Sequence, residues 1–212
     1  MRRMNITRVA VLSAVVAASV SCGDVSRTGR SPVYLVVDSL LGIRGATQPG
    51  QPSGVLLSDV VTNVITPAPC TTDRPCPTVF GDEGQAVLRS SLKDIGTPAA
   101  PAAPTTNNDV TITRYHVSYT RADGRNAEGV DVPYAFDGAV TGTIPAGGSA
   151  TLTFELVRNI AKQESPLIQL ETNPAIITTI ANVTFYGQDQ AGNVVSVTGS
   201  ITVEFGNFGD LQ

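Results

Sequence analysis

From Val195 to Phe205 the side chains alternate between two kinds. Val195, Val197, Ile201, Val203 and Phe205 fall in one phase, and Ser196, Thr198, Ser200, Thr202 and Glu204 in the other. Side chains on an extended backbone point alternately to opposite faces, so this pattern predicts a strand with one apolar and one wet face. A helix would scatter the same residues around its circumference. The segment upstream repeats the pattern, with Ile177, Ala181, Val183 and Phe185 sharing a phase with Thr179. Between the two lies "YGQDQAGN", where Asp189, Gly192 and Asn193 supply turn chemistry. The pair therefore reads as a hairpin, because Asp bonds nearby backbone amides while Gly and Asn tolerate positive φ.

Most of the remaining chain reads the same way. "GGSATLTFELVR" places Ala150, Leu152, Phe154 and Leu156 on one face of a strand. "DVTITRYHVSYTRADGRN" starts with Val110 and Ile112 in one phase and continues with Tyr115, Val117 and Tyr119 in the other. That switch predicts a β-bulge at Thr113 and Arg114. Ala86, Leu88, Ser90 and Leu92 mark a further strand, and "SPVYLVVDSLLG" reads as one buried on both faces or running along the core. Shorter strands are predicted from Val55 to Val61 and from Val130 to Phe136. "RNIAKQESPLIQLE" holds at most one helical turn before Pro166, and the Pro/Ala-rich stretch 96–108 reads as an inter-strand loop.

About seven to nine short strands with polar turns predict an all-β, antiparallel β-sandwich over residues 31–212, with long Pro-rich loops. The closing pair, "VTFYGQDQAGNVVSVTGSITVEF", resembles the last two strands of bacterial immunoglobulin-like and fibronectin type III-like domains. The resemblance extends over the last hundred residues or so and implies the sandwich architecture. It carries no activity, since that fold hosts many functions. The buried tryptophan and inter-sheet cysteine pair of antibody domains are missing, and the chain has no Trp at all.

The N-terminus has a different character. Arg2, Arg3 and Arg8 precede an apolar run from Val9 to Val20, about a dozen residues, which is the order of an export signal over residues 1–21. Spanning a bilayer as a helix takes about 20 apolar residues, so the run is too short for a permanent anchor. "SVSCGD" follows. Ser21 and Cys22 resemble the lipobox of bacterial lipoproteins, which implies Cys22 as the lipid-attachment residue and residues 22–30 as a flexible tether. Ser19 stands where that pattern favours leucine, and Ser19 and Ser21 also make a conventional small-residue cleavage site. The chain has three cysteines. Cys70 and Cys76 lie close together in "PAPCTTDRPCPTVF", where a disulfide closes a small loop, and this leaves Cys22 over for modification.

Charge narrows the partners. Residues 1–21 hold three of the 14 basic residues and none of the 18 acidic ones, so their removal leaves a net charge of −7. Nucleic acid is therefore not an expected partner, and any membrane attachment must come through the lipid. The expected partners are the membrane, through that lipid, and another envelope protein or a glycan.

Few residues carry candidate chemistry. His116 is the only histidine and falls on the outward phase of its strand. Asp123, Glu128, Asp131 and Asp137 form the best acidic group, with Arg121 and Arg125 interspersed, but their spacing matches no calcium loop. Tyr134 and Phe136 flank Ala135 in a Gly- and Asp-rich stretch and are a candidate contact surface, or else plug one end of the sandwich. Asn182 begins a sequon-like triplet within a predicted strand. The residues imply no cofactor, no metal and no catalytic set. The expected role is a lipid-anchored binding or scaffold module of the cell envelope. Two alternatives are an exported carbohydrate-active or hydrolytic accessory using the 121–137 acids and an assembly factor of a secretion or pilus apparatus.

Overall fold

The structure is a computed structural model that describes residues 29–208, so the export signal, Cys22 and most of the tether lie outside the described residues. The chain is an all-β sandwich. In order come β1 (Val33–Ile43), β2 (Val55–Asp59), β3 (Thr62–Val64), β4 (Cys76–Thr78), β5 (Asp82–Leu92), β6 (Gly96–Thr97), β7 (Ala100–Pro101) and β8 (Val110–Thr120). β9 (Phe136–Ile144) and β10 (Ser149–Val157) follow. A single helical turn α1 (Asn159–Lys162) and a 3₁₀ segment (Leu167–Glu171) then precede β11 (Ile177–Asp189) and β12 (Val194–Gly206). Three strands pair in the order β1-β5-β10 and five in the order β2-β12-β11-β8-β9, while β3-β4 and β6-β7 are small separate ribbons.

The alternation in sequence becomes the core. Val195, Ile201, Val203 and Phe205 of β12, Ala181, Val183 and Phe185 of β11, and Tyr115, Val117 and Tyr119 of β8 all face inward against Ala86, Leu88, Leu152, Phe154 and Leu156 of the smaller sheet. Aromatic rings bridge the two layers: Tyr115 to Phe154 at 5.0 Å, Phe154 to Phe185 at 5.2 Å and Tyr119 to Phe205 at 5.8 Å between centroids. Two of these rings need a glycine opposite them. Tyr115 is the register partner of Gly138, and Phe154 of Gly84. A Cβ on Gly138 would lie 2.2 Å from the Tyr115 ring and one on Gly84 2.4 Å from the Phe154 ring, so each ring occupies the space a side chain would fill.

The bulge predicted from the phase switch is present, since the β8 register shifts between Ile112 and Arg114. The β11-β12 hairpin closes as its sequence implies. The Asp189 carboxylate accepts from the amides of Ala191 and Asn193 and from the Asn193 side chain, and Gly192 adopts φ +82.

Five expectations need correction. The sandwich is not wholly antiparallel, because β2 runs parallel to β12. After β1 the chain doubles back, with Gly42 and Ser53 exchanging hydrogen bonds of 2.8 and 2.9 Å, and β2 then runs forward again on the far sheet. The predicted strand Val55–Val61 is split accordingly into β2 and β3. β1 is not buried on both faces: it is an edge strand with a bulge between Val37 and Ser39, and Tyr34 is exposed. Residues 130–135 form a turn instead of a strand, because the amides of Val130, Asp131 and Val132 all donate to the Ala127 carbonyl, and extended pairing starts only at Phe136. The last correction is the Pro/Ala-rich connection, which folds partly on itself as β6-β7 and a turn at Thr106–Asn108.

The strand directions give the sandwich two distinct ends. Gly29, the 93–109 connection, the 145–148 turn and the 190–193 hairpin gather at one end. The 60–81 segment, the 121–135 turn and the 158–176 segment gather at the other, here called the cap end.

Candidate functional site

At the cap end one buried carboxylate ties four stretches of chain together. Asp82, the first residue of β5, is fully buried. Its Oδ2 accepts from Ser58 Oγ of β2 at 2.6 Å and from Lys162 Nζ of α1 at 2.8 Å, and its Oδ1 accepts from the Gly45 amide at 2.8 Å. Lys162 is itself fully buried and donates to the Asp59 carbonyl at 2.9 Å as well. A buried charge is tolerable only when it is paired and hydrogen-bonded, and both conditions are met on each side. The surroundings are apolar: Leu167 and Leu170 are buried beside α1, and the Tyr119 hydroxyl donates to the Leu156 carbonyl at 2.6 Å. Burial first, and the nearby Asp82 charge second, push the Tyr119 phenol well above its usual range.

This anchor fixes α1 and the 3₁₀ segment opposite the β3-β4 ribbon, which carries the disulfide. Cys70 and Cys76 are bonded as their spacing implied. Between ribbon and 3₁₀ segment runs a groove of about 780 Å³, with Asn63, Thr78, Gln163, Thr172 and Asn207 as its neutral polar groups and Glu171 as its one acid. Val61, Pro77, Val79 and Ile168 give it apolar walls. Amides and hydroxyls of this kind both donate and accept, which suits a peptide backbone or a polyhydroxyl ligand. Only the cysteine pair and the interrupted helical turn pointed here from sequence. The signal that was available was Lys162, a lone lysine within the apolar-rich "NIAKQESPLIQL".

The residues singled out from sequence are dispersed. Tyr134 is 51% exposed and lies across Gly129, whose φ is +72. Phe136 is only 7% exposed and packs edge-on against Tyr115, with the Arg158 guanidinium 4.5 Å above its ring. Phe136 opens β9 on its inward phase and is therefore a core residue, which corrects its place in the contact pair, and Tyr134 is the member of the pair that is exposed.

The acids do not converge. Asp123 is held by Arg121 at 2.7 Å and by Arg125 at 3.0 Å, and the Arg121 guanidinium, then the Arg125 amide, keep its carboxyl far below the ordinary range. Asp131 accepts from the Ala127 amide within its own turn. Asp137 sits on the outer face of the larger sheet, 3.3 Å from both Arg114 and His116. Among the described residues no three His, Cys, Asp or Glu side chains are grouped to hold a metal ion. Asn182 also lies on that outer face, bonded to Thr120 and Ser200.

Comparison with protein-family models and with curated proteins finds no match.

Proposed function

We propose that the chain is an exported cell-envelope protein, attached through lipid on Cys22, whose immunoglobulin-like sandwich is a rigid support for binding at the cap end. The observation that carries the reading is the separation of the two ends. Gly29, where the tether enters, and the groove lie at opposite ends of strands as long as 13 residues, or about 43 Å at strand rise. A ligand in the groove is thus held well clear of the attachment point. The immunoglobulin-like assignment is supported by the three- and five-stranded sheets and by the short strand that leaves the first sheet to run parallel to the last strand.

The groove's composition supports a peptide or glycan as ligand. Its walls carry hydrogen-bonding amides on both sides, and those walls are held by a disulfide and by a buried ion pair, so little ordering remains to be done on binding. Two measurements test the proposal. Cys22→Ser should move the protein from the membrane to the soluble fraction and abolish an acyl-sized increment in intact mass. A photo-crosslinking residue at Gln163 should capture envelope material that the same residue at Thr143, on the outer sheet face, does not. Equal capture at both positions defeats the cap-end assignment, and unchanged fractionation defeats the anchor.

A further inference from the structure

The end of the sandwich where the tether enters has a surface of its own. Gly29 and Pro32 are held against Lys93, whose Nζ donates to the Gly29 carbonyl at 3.2 Å and whose amide donates to the Pro32 carbonyl at 2.8 Å. Lys93 opens the connection to β8, and residues 93–107 are all exposed. Ile95 is 77% exposed, more than any other large apolar side chain among the described residues. From Gly96 to Asn108 the connection, GTPAAPAAPTTNN, holds no charged residue. β6 and β7 pair within it, Gly96 with Pro101 and Thr97 with Ala100, which makes an exposed ribbon with its tip at Pro98 and Ala99.

Two strands add to this surface. Tyr34 of β1 and Val194 of β12, 46% and 42% exposed, line one shallow cavity of about 220 Å³ together with Gly29 and Lys93. Arg30 and Lys93 are the basic residues here. The acids are turned inward on loop amides: Asp94 accepts from Gly96, Asp109 from Ala146 and Asp189 from Ala191. A bilayer interface suits this composition, since apolar residues enter the acyl boundary, a tyrosine keeps its hydroxyl at headgroup level, and cations meet phosphates. Placement points to the same partner. Cys22 precedes Gly29 by seven residues, a reach of at most about 25 Å. A lipid on Cys22 therefore keeps this end near the bilayer, and a short linker gives a second contact an effective concentration of about millimolar, enough to populate one too weak to hold the chain alone.

We propose that the tether end is a membrane-contact face, in which Ile95 and the 96–105 ribbon enter the interface of the bilayer that holds the Cys22 lipid. Tyr34 and Val194 lie at its rim, and Lys93 and Arg30 meet the phosphates. This contact presupposes the lipid attachment proposed above and adds an orientation to it. The sandwich stands end-on instead of swinging on its tether, so the cap groove faces away from the bilayer.

The chain has no tryptophan, so one introduced indole reports by itself. Ala99→Trp at the ribbon tip and Gln163→Trp at the cap groove are compared in the mature chain, anchored on vesicles of phosphatidylcholine and phosphatidylglycerol with brominated acyl chains as contact quenchers. The emission of A99W should shift to the blue and be quenched, and that of Q163W should stay as it is without vesicles. Adding Ile95→Glu to A99W should cut the quenching at least about twofold, with the circular dichroism unchanged because residue 95 is exposed. Intact mass separates the contact from the lipid attachment. If Cys22 carries no acyl group, the attachment fails, and the measurement is repeated on a chain begun at Cys22 whose thiol is coupled to a maleimide lipid, Cys70 and Cys76 being bonded to each other. Quenching of A99W but not Q163W upholds the contact face in either form. An unquenched A99W, as when the ribbon meets water or another envelope protein, overturns it. So does equal quenching at the two positions, or quenching that Ile95→Glu leaves untouched.

Discussion

Replacing Lys162 by Met tests the cap-end anchor most directly. Met fills a similar volume, so packing around Leu167 and Leu170 changes little, but the ammonium is removed from a carboxylate that no water reaches. Asp82 keeps only Ser58 and the Gly45 amide as donors. Removing one partner of a buried pair costs about 3–5 kcal/mol. A chain of this size loses about 2–4 °C of melting temperature per kcal/mol, which places the shift at roughly 6–20 °C. Asp82→Asn removes the other charge and should be comparably costly, because the ammonium then faces an amide. The double variant removes both charges and should be less damaging than the two single losses added, with a coupling of about 2–3 kcal/mol. Urea denaturation of the four proteins, followed by tryptophan-independent far-UV circular dichroism, gives all the terms, provided the m-values agree. A Lys162→Met loss below about 1 kcal/mol, the range of an exposed pair, together with zero coupling, refutes the buried bridge and the rigid groove built on it.

Other outcomes follow from the same structure. Gly138→Ala should cost at least about 1–3 kcal/mol, the range of overpacking, because its Cβ meets the Tyr115 ring at 2.2 Å, and Tyr115→Leu should relieve part of that loss in the double variant. Tyr119→Phe leaves the buried Leu156 carbonyl without its donor and should cost about 1–3 kcal/mol, while a spectrophotometric titration of the wild type should show one of the tyrosines still protonated beyond the range of the rest. At Asp189, desolvation pushes the carboxyl up, but the hydrogen bonds from Asn193, Ser31 and Ala191 together outweigh it and leave the group lowered. A lowered folded-state pKa contributes stability that is present above the unfolded value of about 3.9 and lost as pH falls through the folded one. The urea midpoint should therefore decline on acidification below about pH 4, and less steeply in Asp189→Asn.

The strands with one wet face were legible because burial on one side leaves a period of two that little else produces. β8, β10, β11 and β12 all carry it, and in β8 even the bulge is written as a change of phase. β9 was missed for a physical reason. Its sequence, FDGAVTGTI, puts Gly138 and Gly142 at inward positions where Tyr115 and Leu152 fill the space, so the apolar phase is supplied by neighbouring strands. The apolar run of β1 misled in the opposite direction, because an edge strand can carry Val and Leu on both faces when the other sheet curls against it. At the cap end the anchor comes from residues 45, 58, 82 and 162. Nothing local relates them, and a lysine in an apolar segment does not announce which carboxylate it will meet.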